Sequence, residues 1–276
     1  MPFTGSSLVD KNPEKIAIDV KDLWKSYSGT SILKGLDLTL PEGKTLIILG
    51  RSGVGKSVLL RQLLGLEKPD QGTIDVNGIR ITDLNQKELL PLMSQFGMLF
   101  QSSALFDSMT IFDNVAFYLN QHGCPTTKER LPQSEIQDRV EDSLKKVGLQ
   151  GYEPKMPSML SGGQKRRAAL ARLIIYKPKI LLYDEPTTGL DPITSMQINE
   201  LILQTQEELS ATSIVVTHDI HSALAVGDFF ALHHEGKLQY FDEKERFVKN
   251  EIPLIRDFFL HAGIQQKFSK LLGSSL

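Results

Sequence analysis

The clearest candidate for chemistry in this sequence is a glycine-rich segment that ends in Lys56 and Ser57. It fits the spacing Gly-x-x-x-x-Gly-Lys-Ser/Thr, in which backbone N–H groups and the lysine bind phosphate. The glycines let the backbone approach an anion closely, and the N–H groups at the start of the next helix favour negative charge. We therefore expect the following residues to bind a nucleotide: Gly50, Arg51, Ser52, Gly53, Val54, Gly55, Lys56, Ser57 and Val58.

Lys56 and Ser57 have separate expected roles in this loop. The lysine should contact the β- and γ-phosphates, and the serine hydroxyl should bind Mg²⁺. A glycine-rich turn without a ligand is the alternative, and the flanking sequence argues against it. The apolar run 45–49 is typical of a buried strand and residues 57–64 have a helical pattern, so we expect a strand, a loop and a helix in that order.

Two adjacent carboxylates, Asp184 and Glu185, follow a second apolar run at residues 180–183. In a parallel sheet this strand would end beside the phosphate loop. We expect Asp184 to hold Mg²⁺ through its water shell and Glu185 to polarise the attacking water as a general base. The alternative is that the pair caps a helix, because Pro186 and two threonines follow. The phosphate loop upstream favours the catalytic interpretation.

Residues 160–164, Leu-Ser-Gly-Gly-Gln, lie downstream of the phosphate loop. In this order the two segments resemble those of the nucleotide-binding subunit of ATP-binding-cassette (ABC) proteins. The glycine backbone would approach a phosphate, and the serine hydroxyl and the following helix N-terminus would donate to it. The resemblance implies that these residues contact the ATP held by a partner copy: Ser161, Gly162, Gly163 and Gln164. A head-to-tail homodimer with two working sites is then the simplest assembly.

The same resemblance assigns further residues by their place in the sequence. Tyr27 matches the aromatic residue that stacks on adenine, although tyrosines near strand ends also serve only in packing. Gln101 matches a glutamine that contacts Mg²⁺ and reports the γ-phosphate state to the membrane partner. Asp191 matches an aspartate that communicates across the dimer, and His218 matches a histidine that contacts the γ-phosphate and helps hold the attacking water. We interpret three other histidines as structural: His221, His233 and His234.

An α/β fold must position these residues. The resemblance implies a P-loop NTPase cassette with a RecA-like core sheet, an antiparallel β subdomain and an inserted α-helical subdomain. We expect the ATPase domain to span residues 16–248, with the helical subdomain at about 102–176, and a C-terminal extension at 249–276. The dipeptide Asn77-Gly78 predicts a hairpin turn.

The extension contains an apolar helical face, and its members are Leu254, Ile255, Phe258 and Phe259. This face motivates the hypothesis that the tail clasps the opposite protomer, with residues 263–276 at the contact. A second apolar group lies just after Gln101 and consists of Leu105, Phe106, Ile111 and Phe112. It either forms a surface for a membrane permease or fills the core of the helical subdomain.

Composition limits the possible classes of protein. The 276 residues carry a formal net charge of −2 and 23% charged side chains, which gives no bulk signature of nucleic-acid binding. Cys124 is the single cysteine, so an intramolecular disulfide is excluded, which fits a reducing compartment. The sequence shows no apolar stretch near the roughly 20 residues needed to span a bilayer, and its start lacks the apolar core of a signal peptide. We expect the chain to reach a membrane through a partner or from the surface.

Several other classes of protein share some or all of these motifs. ABC ATPases of DNA repair and chromosome organisation insert coiled coils or zinc modules before the signature motif of the family, which residues 160–164 match. The interval 57–160 has neither heptads nor cysteine pairs. Translation-type members usually carry two cassettes per chain. A generic P-loop kinase has no role for residues 160–164. Transport is therefore favoured over these classes.

Residues 98–116 give a finer resemblance, to the cassettes of Mla-type transporters, which maintain outer-membrane lipid asymmetry. Those belong with mycobacterial and chloroplast relatives that partner mammalian-cell-entry (MCE) lipid-binding proteins. The resemblance covers about residues 16–260 and implies an ATPase with ATP and Mg²⁺ as cofactors. It would drive a permease that moves phospholipid or a related lipid, with an MCE-type protein, from the cytoplasmic side of the inner (plasma) membrane. Amino-acid and other small-solute importers share the layout and are the alternative.

Overall fold

The computed structural model of the chain describes residues 15–50, 53 and 55–261. Its strands are β1 (Ile16–Tyr27), β2 (Thr30–Pro41), β3 (Thr45–Leu49), β4 (Gln71–Val76), β5 (Ile79–Arg80), β6 (Phe96–Leu99), β7 (Ile180–Asp184), β8 (Thr212–Thr217), β9 (Phe229–His234) and β10 (Lys237–Glu243). Its helices are α1 (Lys56–Leu63), α2 (Gln86–Met93), α3 (Ile111–His122), α4 (Gln133–Lys146), α5 (Gly162–Ile174), α6 (Pro192–Leu209), α7 (Ile220–Val226), α8 (Lys244–Val248) and α9 (Pro253–His261). Within these ranges every helix is too short or too polar to span a bilayer.

A six-stranded sheet in the order β10-β9-β3-β8-β7-β6 forms the centre of the fold. The five strands from β9 to β6 run parallel, and β10 is antiparallel at the edge. β3 and β8 are buried along their whole length, as strands are when helices or another sheet cover both faces. Because the carboxyl ends of parallel strands meet at one edge, the residues that follow β3, β6, β7 and β8 lie there together. The predicted α/β fold is confirmed.

A second, antiparallel sheet in the order β2-β1-β4-β5 packs over α1. Apolar residues of this sheet, of α1 and of one face of the central sheet form one core cluster, so α1 is fixed between the two sheets. Asn77 and Gly78 have φ angles of 49° and 79° between β4 and β5, as a type I′ turn requires. The predicted hairpin is therefore confirmed.

Helices α3 to α7 contribute to the core on the other face of the central sheet. Three of them, α3, α4 and α5, lie in the stretch expected to be helical, whereas the domain boundaries at 16–248, 102–176 and 249–276 stay predictions. The apolar group after Gln101 is divided between core and surface. Ile111 is fully buried and Phe106 is 40% exposed.

Helix α9 packs its apolar face against its own chain. Ile255 and Phe259 are 1% and 7% exposed, and the Phe259 ring meets Phe247 of α8 edge-on with centroids 6.4 Å apart. Because this face has a partner within the chain, it gives no support to a clasp on the opposite protomer. Residues 263–276, to which that hypothesis assigned the contact, lie outside the described part of the chain.

Candidate nucleotide-binding site

A cavity of about 520 Å³ opens at the carboxyl edge of the central sheet. It brings together predicted site residues from β1, the phosphate loop, α1 and the ends of β6, β7 and β8, which are Tyr27, Gly53, Gly55, Lys56, Ser57, Val58, Gln101, Asp184, Glu185 and His218. Ile32, Arg61 and Thr188 also line it and were not predicted. Arg51, Ser52 and Val54 lie outside the described residues. The signature residues and Asp191 are not among those that line this cavity.

The phosphate loop turns sharply where it enters α1. Gly55 has a φ of 107°, and a Cβ at this position would lie 2.5 Å from Cγ2 of Ile32 in β2. Glycine is thus required both by the backbone conformation and by the neighbouring strand. Because Gly55 has no side chain to cap α1, the first N–H groups of the helix are suited to an anion.

Lys56 is the first residue of α1 and is 6% exposed. Its Nζ donates to the carbonyl oxygen of Gly50 over 2.6 Å and lies 3.5 Å from Oε1 of Glu185. Removing an ammonium group from water costs on the order of several kcal/mol, and oxygen partners of this kind offset that cost. A phosphate that entered the cavity would meet an ammonium group already held beside the loop.

Glu185 is held through one of its two carboxylate oxygens. Its Oε2 accepts hydrogen bonds from Nδ1 of His218 (2.9 Å), Oγ1 of Thr188 (2.9 Å) and Oγ1 of Thr217 (3.3 Å). Its Oε1 is the atom that approaches Lys56. The arrangement leaves Oε1 as the oxygen that would accept a proton from a water molecule once Lys56 binds a phosphate.

The surroundings of Glu185 favour its ionised form. Burial by itself raises the pKa of this carboxyl, but hydrogen bonds from His218 and Thr188 and the charge of Lys56 outweigh burial and lower the pKa below its ordinary value. A general base must be ionised, so this balance suits the predicted role. The alternative that the carboxylate pair caps the next helix is wrong, since Asp191 caps α6.

The oxygen-bearing side chains of Ser57, Gln101 and Asp184 line the same cavity. Burial raises the pKa of Asp184, and a hydrogen bond with Ser57 and the charge of Lys56 only partly offset it. A divalent cation beside this carboxylate would remove that cost, and hydroxyl, amide and carboxylate oxygens are ligands that Mg²⁺ prefers. The donor set therefore fits Mg²⁺, which Ser57, Gln101 and Asp184 would hold and which would supply positive charge to offset that of the phosphates.

The sequence profile of the ABC transporter family matches residues 33–188, more than half of the chain. The chain belongs to the ABC transporter family. One relative is the "Probable ribonucleotide transport ATP-binding protein mkl" of Mycobacterium leprae, 39% identical over 246 residues that cover 89% of this chain and 69% of the relative. Another is the methionine import ATP-binding protein MetN of Clostridium tetani, which is 38% identical over 267 residues. The match covers 90% of this chain and 81% of that relative.

A solved structure supports the same assignment. The dimeric cassette MJ0796, in a post-hydrolysis state with ADP and Pi bound, is 31% identical with a TM-score of 0.75, and the match covers 82% of this chain and 98% of that one. The family and this neighbour identify the present cassette as an ATPase that uses ATP with Mg²⁺. The predicted activity and cofactors are confirmed.

The signature residues of the cassette form the start of α5. Ser161 is the N-cap: its Oγ accepts from the N–H of Gln164 (3.3 Å), and its own N–H donates to Oε1 of Gln164 (3.0 Å), which is a capping box. Nε2 of Gln164 also donates to the hydroxyl of Tyr152 (3.0 Å). The Gln164 side chain is therefore engaged within its own chain, whereas the Ser161 hydroxyl remains able to donate to a phosphate.

The two signature glycines have different surroundings. A Cβ on Gly163 would lie 2.5 Å from Cγ2 of Thr194 in α6, whereas a Cβ on Gly162 would lie 3.6 Å from a side-chain carbon of Leu190. Thr194 is held in place, since its N–H and hydroxyl both donate to Asp191, at 3.0 and 2.5 Å. Gly163 is therefore required for the close packing of α5 on α6.

We expect Gly163→Ala to destabilise the cassette by about 1–3 kcal/mol, because the added methyl group overpacks α5 against α6. Gly162→Ala is the matched control, whose methyl group makes only ordinary contacts. Thermal unfolding without nucleotide should show a lower melting temperature for the first variant alone. Equal melting temperatures would mean that the helices adjust to the methyl group and that the packing explanation is wrong.

Proposed function

We propose that this cassette powers a membrane permease that moves phospholipid or a related lipid, together with an MCE-type lipid-binding protein. The observation that carries the proposal is the 39% identity over 246 residues to a mycobacterial cassette, which extends far beyond residues 33–188. Mycobacterial relatives belong to the group that the segment 98–116 resembles. The cassette would act at the cytoplasmic side of the inner (plasma) membrane, bound there through the permease.

The structure supports a docking surface for the permease within residues 98–116. Phe100 and Phe106 are 38% and 40% exposed, on either side of Gln101 and the loop that follows it. Phe106, at the end of this loop, is held in place, because the Asn114 side chain accepts from its N–H (2.7 Å) and donates to its carbonyl oxygen (3.1 Å). The Phe106 ring also packs on Phe117 with centroids 4.8 Å apart. A fixed, partly apolar surface next to a cavity residue suits a partner that responds to the nucleotide.

We further propose that two copies of the cassette assemble head to tail. Ser161 and Gly162 are exposed at the start of α5, and neither they nor their neighbours line the cavity of their own chain. A partner copy in the opposite orientation would bring its Ser161 to the phosphates beside Lys56, and the similar cassette of known structure is a dimer. ATP would then favour the closed dimer and hydrolysis would reopen it.

A small-solute importer is the second candidate. The methionine import relative is 38% identical and is matched over 81% of its length, and the mycobacterial relative carries the name of a ribonucleotide transport protein. The two identities are of similar size, so the lipid-transport candidate is preferred on the additional resemblance of residues 98–116 to Mla-type cassettes. The partners that copurify with the chain will distinguish the two candidates.

The test is purification of the tagged full-length chain from its native membranes in mild detergent, with mass spectrometry of bound proteins and lipids. We expect a permease, an MCE-type protein and phospholipid. Phe106→Glu should lose all three, whereas Ile79→Glu, a change of an exposed residue in β5, should retain them. A permease with a solute-binding protein would establish the importer instead. Recovery of the unaltered chain without any membrane protein would refute a transport role.

A further inference from the structure

We propose that Glu67 is a positioning residue that holds the Tyr27 ring in place for the adenine base. The inference rests on the predicted role of Tyr27 in stacking on adenine. The Tyr27 hydroxyl donates to Oε2 of Glu67. The ring is 37% exposed and lines the cavity, so it is accessible to a ligand while its hydroxyl is held.

Glu67 contacts helix α1 as well as Tyr27 of β1. Nε of Arg61 lies 2.9 Å from its Oε1, and Nε2 of Gln62 donates to its Oε2 over 3.4 Å. Gln62 is 1% exposed and is fixed in the core by α1. The Glu67 carboxylate therefore links α1 to the Tyr27 hydroxyl at the end of β1.

Tyr27 needs such a contact because it lies at the tip of an exposed hairpin. Ser28 and Gly29, which connect β1 to β2, have φ angles of 48° and 81° and are solvent-exposed. Asp70 anchors the backbone nearby, since its Oδ2 accepts from the N–H of Ser26 over 2.6 Å. That bond fixes the strand, and the contact with Glu67 fixes the ring itself.

Through Glu67, helix α1 connects the residues expected to bind the phosphates with the ring expected to bind the base. Helix α1 begins at Lys56, the predicted phosphate contact, and is eight residues long, or about 12 Å. Arg61 and Gln62, whose side chains hold Glu67, lie on the last turn of this helix, and Glu67 lies just beyond it. One rigid element therefore sets the position of the Tyr27 ring relative to the phosphate loop. Loss of Glu67 should weaken recognition of the base more than recognition of the phosphates.

The experiment measures the affinity of the full-length chain for ATP and for inorganic tripolyphosphate, which has no base, both with Mg²⁺. Glu67→Ala and Tyr27→Phe should each weaken ATP binding relative to tripolyphosphate by about 3- to 10-fold, the value of one hydrogen bond. The double variant should show no lower ratio of the two affinities than Tyr27→Phe, because that change already removes the contact between Tyr27 and Glu67. The KM for ATP should rise in the same proportion while kcat stays unchanged. Loss of Glu67 also releases Arg61, which lines the cavity, and this would change the binding of both ligands. The readout is therefore the ratio of the affinity for ATP to the affinity for tripolyphosphate.

The controls separate the role of Glu67 from the predicted stacking role of Tyr27. Glu42→Ala, which alters an exposed glutamate paired with Lys15, should leave the ratio unchanged. If Tyr27→Ala leaves the ratio unchanged, the stacking role is wrong and the inference falls with it. If Tyr27→Ala weakens ATP binding relative to tripolyphosphate binding but Tyr27→Phe and Glu67→Ala do not, the stacking role of Tyr27 is supported and the role of Glu67 is wrong. Additive effects in the double variant would also overturn it. Should Glu67→Ala fail to fold, Tyr27→Phe alone decides.

Discussion

Glu185→Gln should leave ATP binding intact and reduce ATP hydrolysis by about 100- to 10,000-fold, the usual contribution of a general base. The amide has the shape of the carboxylate and keeps an oxygen that can accept from Thr188 and His218. It cannot take a proton from water. The variant also removes the carboxylate 3.5 Å from the Lys56 ammonium, so affinity for ATP should be unchanged or higher. Single-turnover release of phosphate and equilibrium nucleotide binding measure the two effects.

The same variant tests the proposed dimer. With binding intact and hydrolysis blocked, ATP should hold two cassettes together, so size-exclusion chromatography with Mg²⁺ and ATP should show a dimer. Glu42→Gln, a change of the same type on the surface, should behave like the unaltered chain in every assay. If Glu185→Gln hydrolyses ATP within about threefold of the unaltered chain, Glu185 is not the base.

Much of this site follows from local sequence. The strand, loop and helix around Lys56 and the carboxylates at the end of β7 were predictable because apolar runs, glycines and polar strand ends are adjacent in the chain. Parallel pairing then brings the strand ends to one edge. Contacts between distant segments were not predictable in this way. Ile32 meets the phosphate loop from β2, and Thr194 meets Gly163 from α6.

Thr188 shows why a nearby residue was also missed. It is three positions after Glu185, and its hydroxyl reaches the carboxylate because Glu185 adopts a φ of 49° as the chain leaves β7. A left-handed conformation at a glutamate costs about 1–2 kcal/mol and has no sequence signature. Only Gly189 and the Pro-Thr-Thr run at 186–188 indicate that the chain turns here.

The tail illustrates a different limit of sequence patterns. The spacing of Leu254, Ile255, Phe258 and Phe259 correctly predicted a helix with an apolar face, which is α9. The pattern indicates that such a face is buried, but it does not indicate which surface covers it. Phe247 and the core of the same chain cover it in the structure.

Lys56→Ala should weaken ATP binding by about 10- to 150-fold or more, since a charge-assisted hydrogen bond to phosphate contributes about 1.5–3 kcal/mol. The change has a second effect, because it removes the ammonium next to the buried Glu185 carboxylate. Loss of one partner of a buried ion pair destabilises a protein by about 3–5 kcal/mol. An unpaired carboxylate would also repel the phosphates. Weaker binding by this variant alone would therefore have two explanations.

The double variant Lys56→Ala/Glu185→Gln separates them. It leaves no unpaired carboxylate at residue 185, so the melting temperature should recover toward that of Glu185→Gln. If Lys56 contacts the phosphates, ATP affinity should stay low, as isothermal titration with Mg²⁺-ATP would show. Recovery of affinity together with stability would mean that repulsion by Glu185 caused the loss, and the direct phosphate contact of Lys56 would be refuted. The two outcomes differ because the ammonium interacts with Glu185 within the fold and with phosphate only when a nucleotide binds.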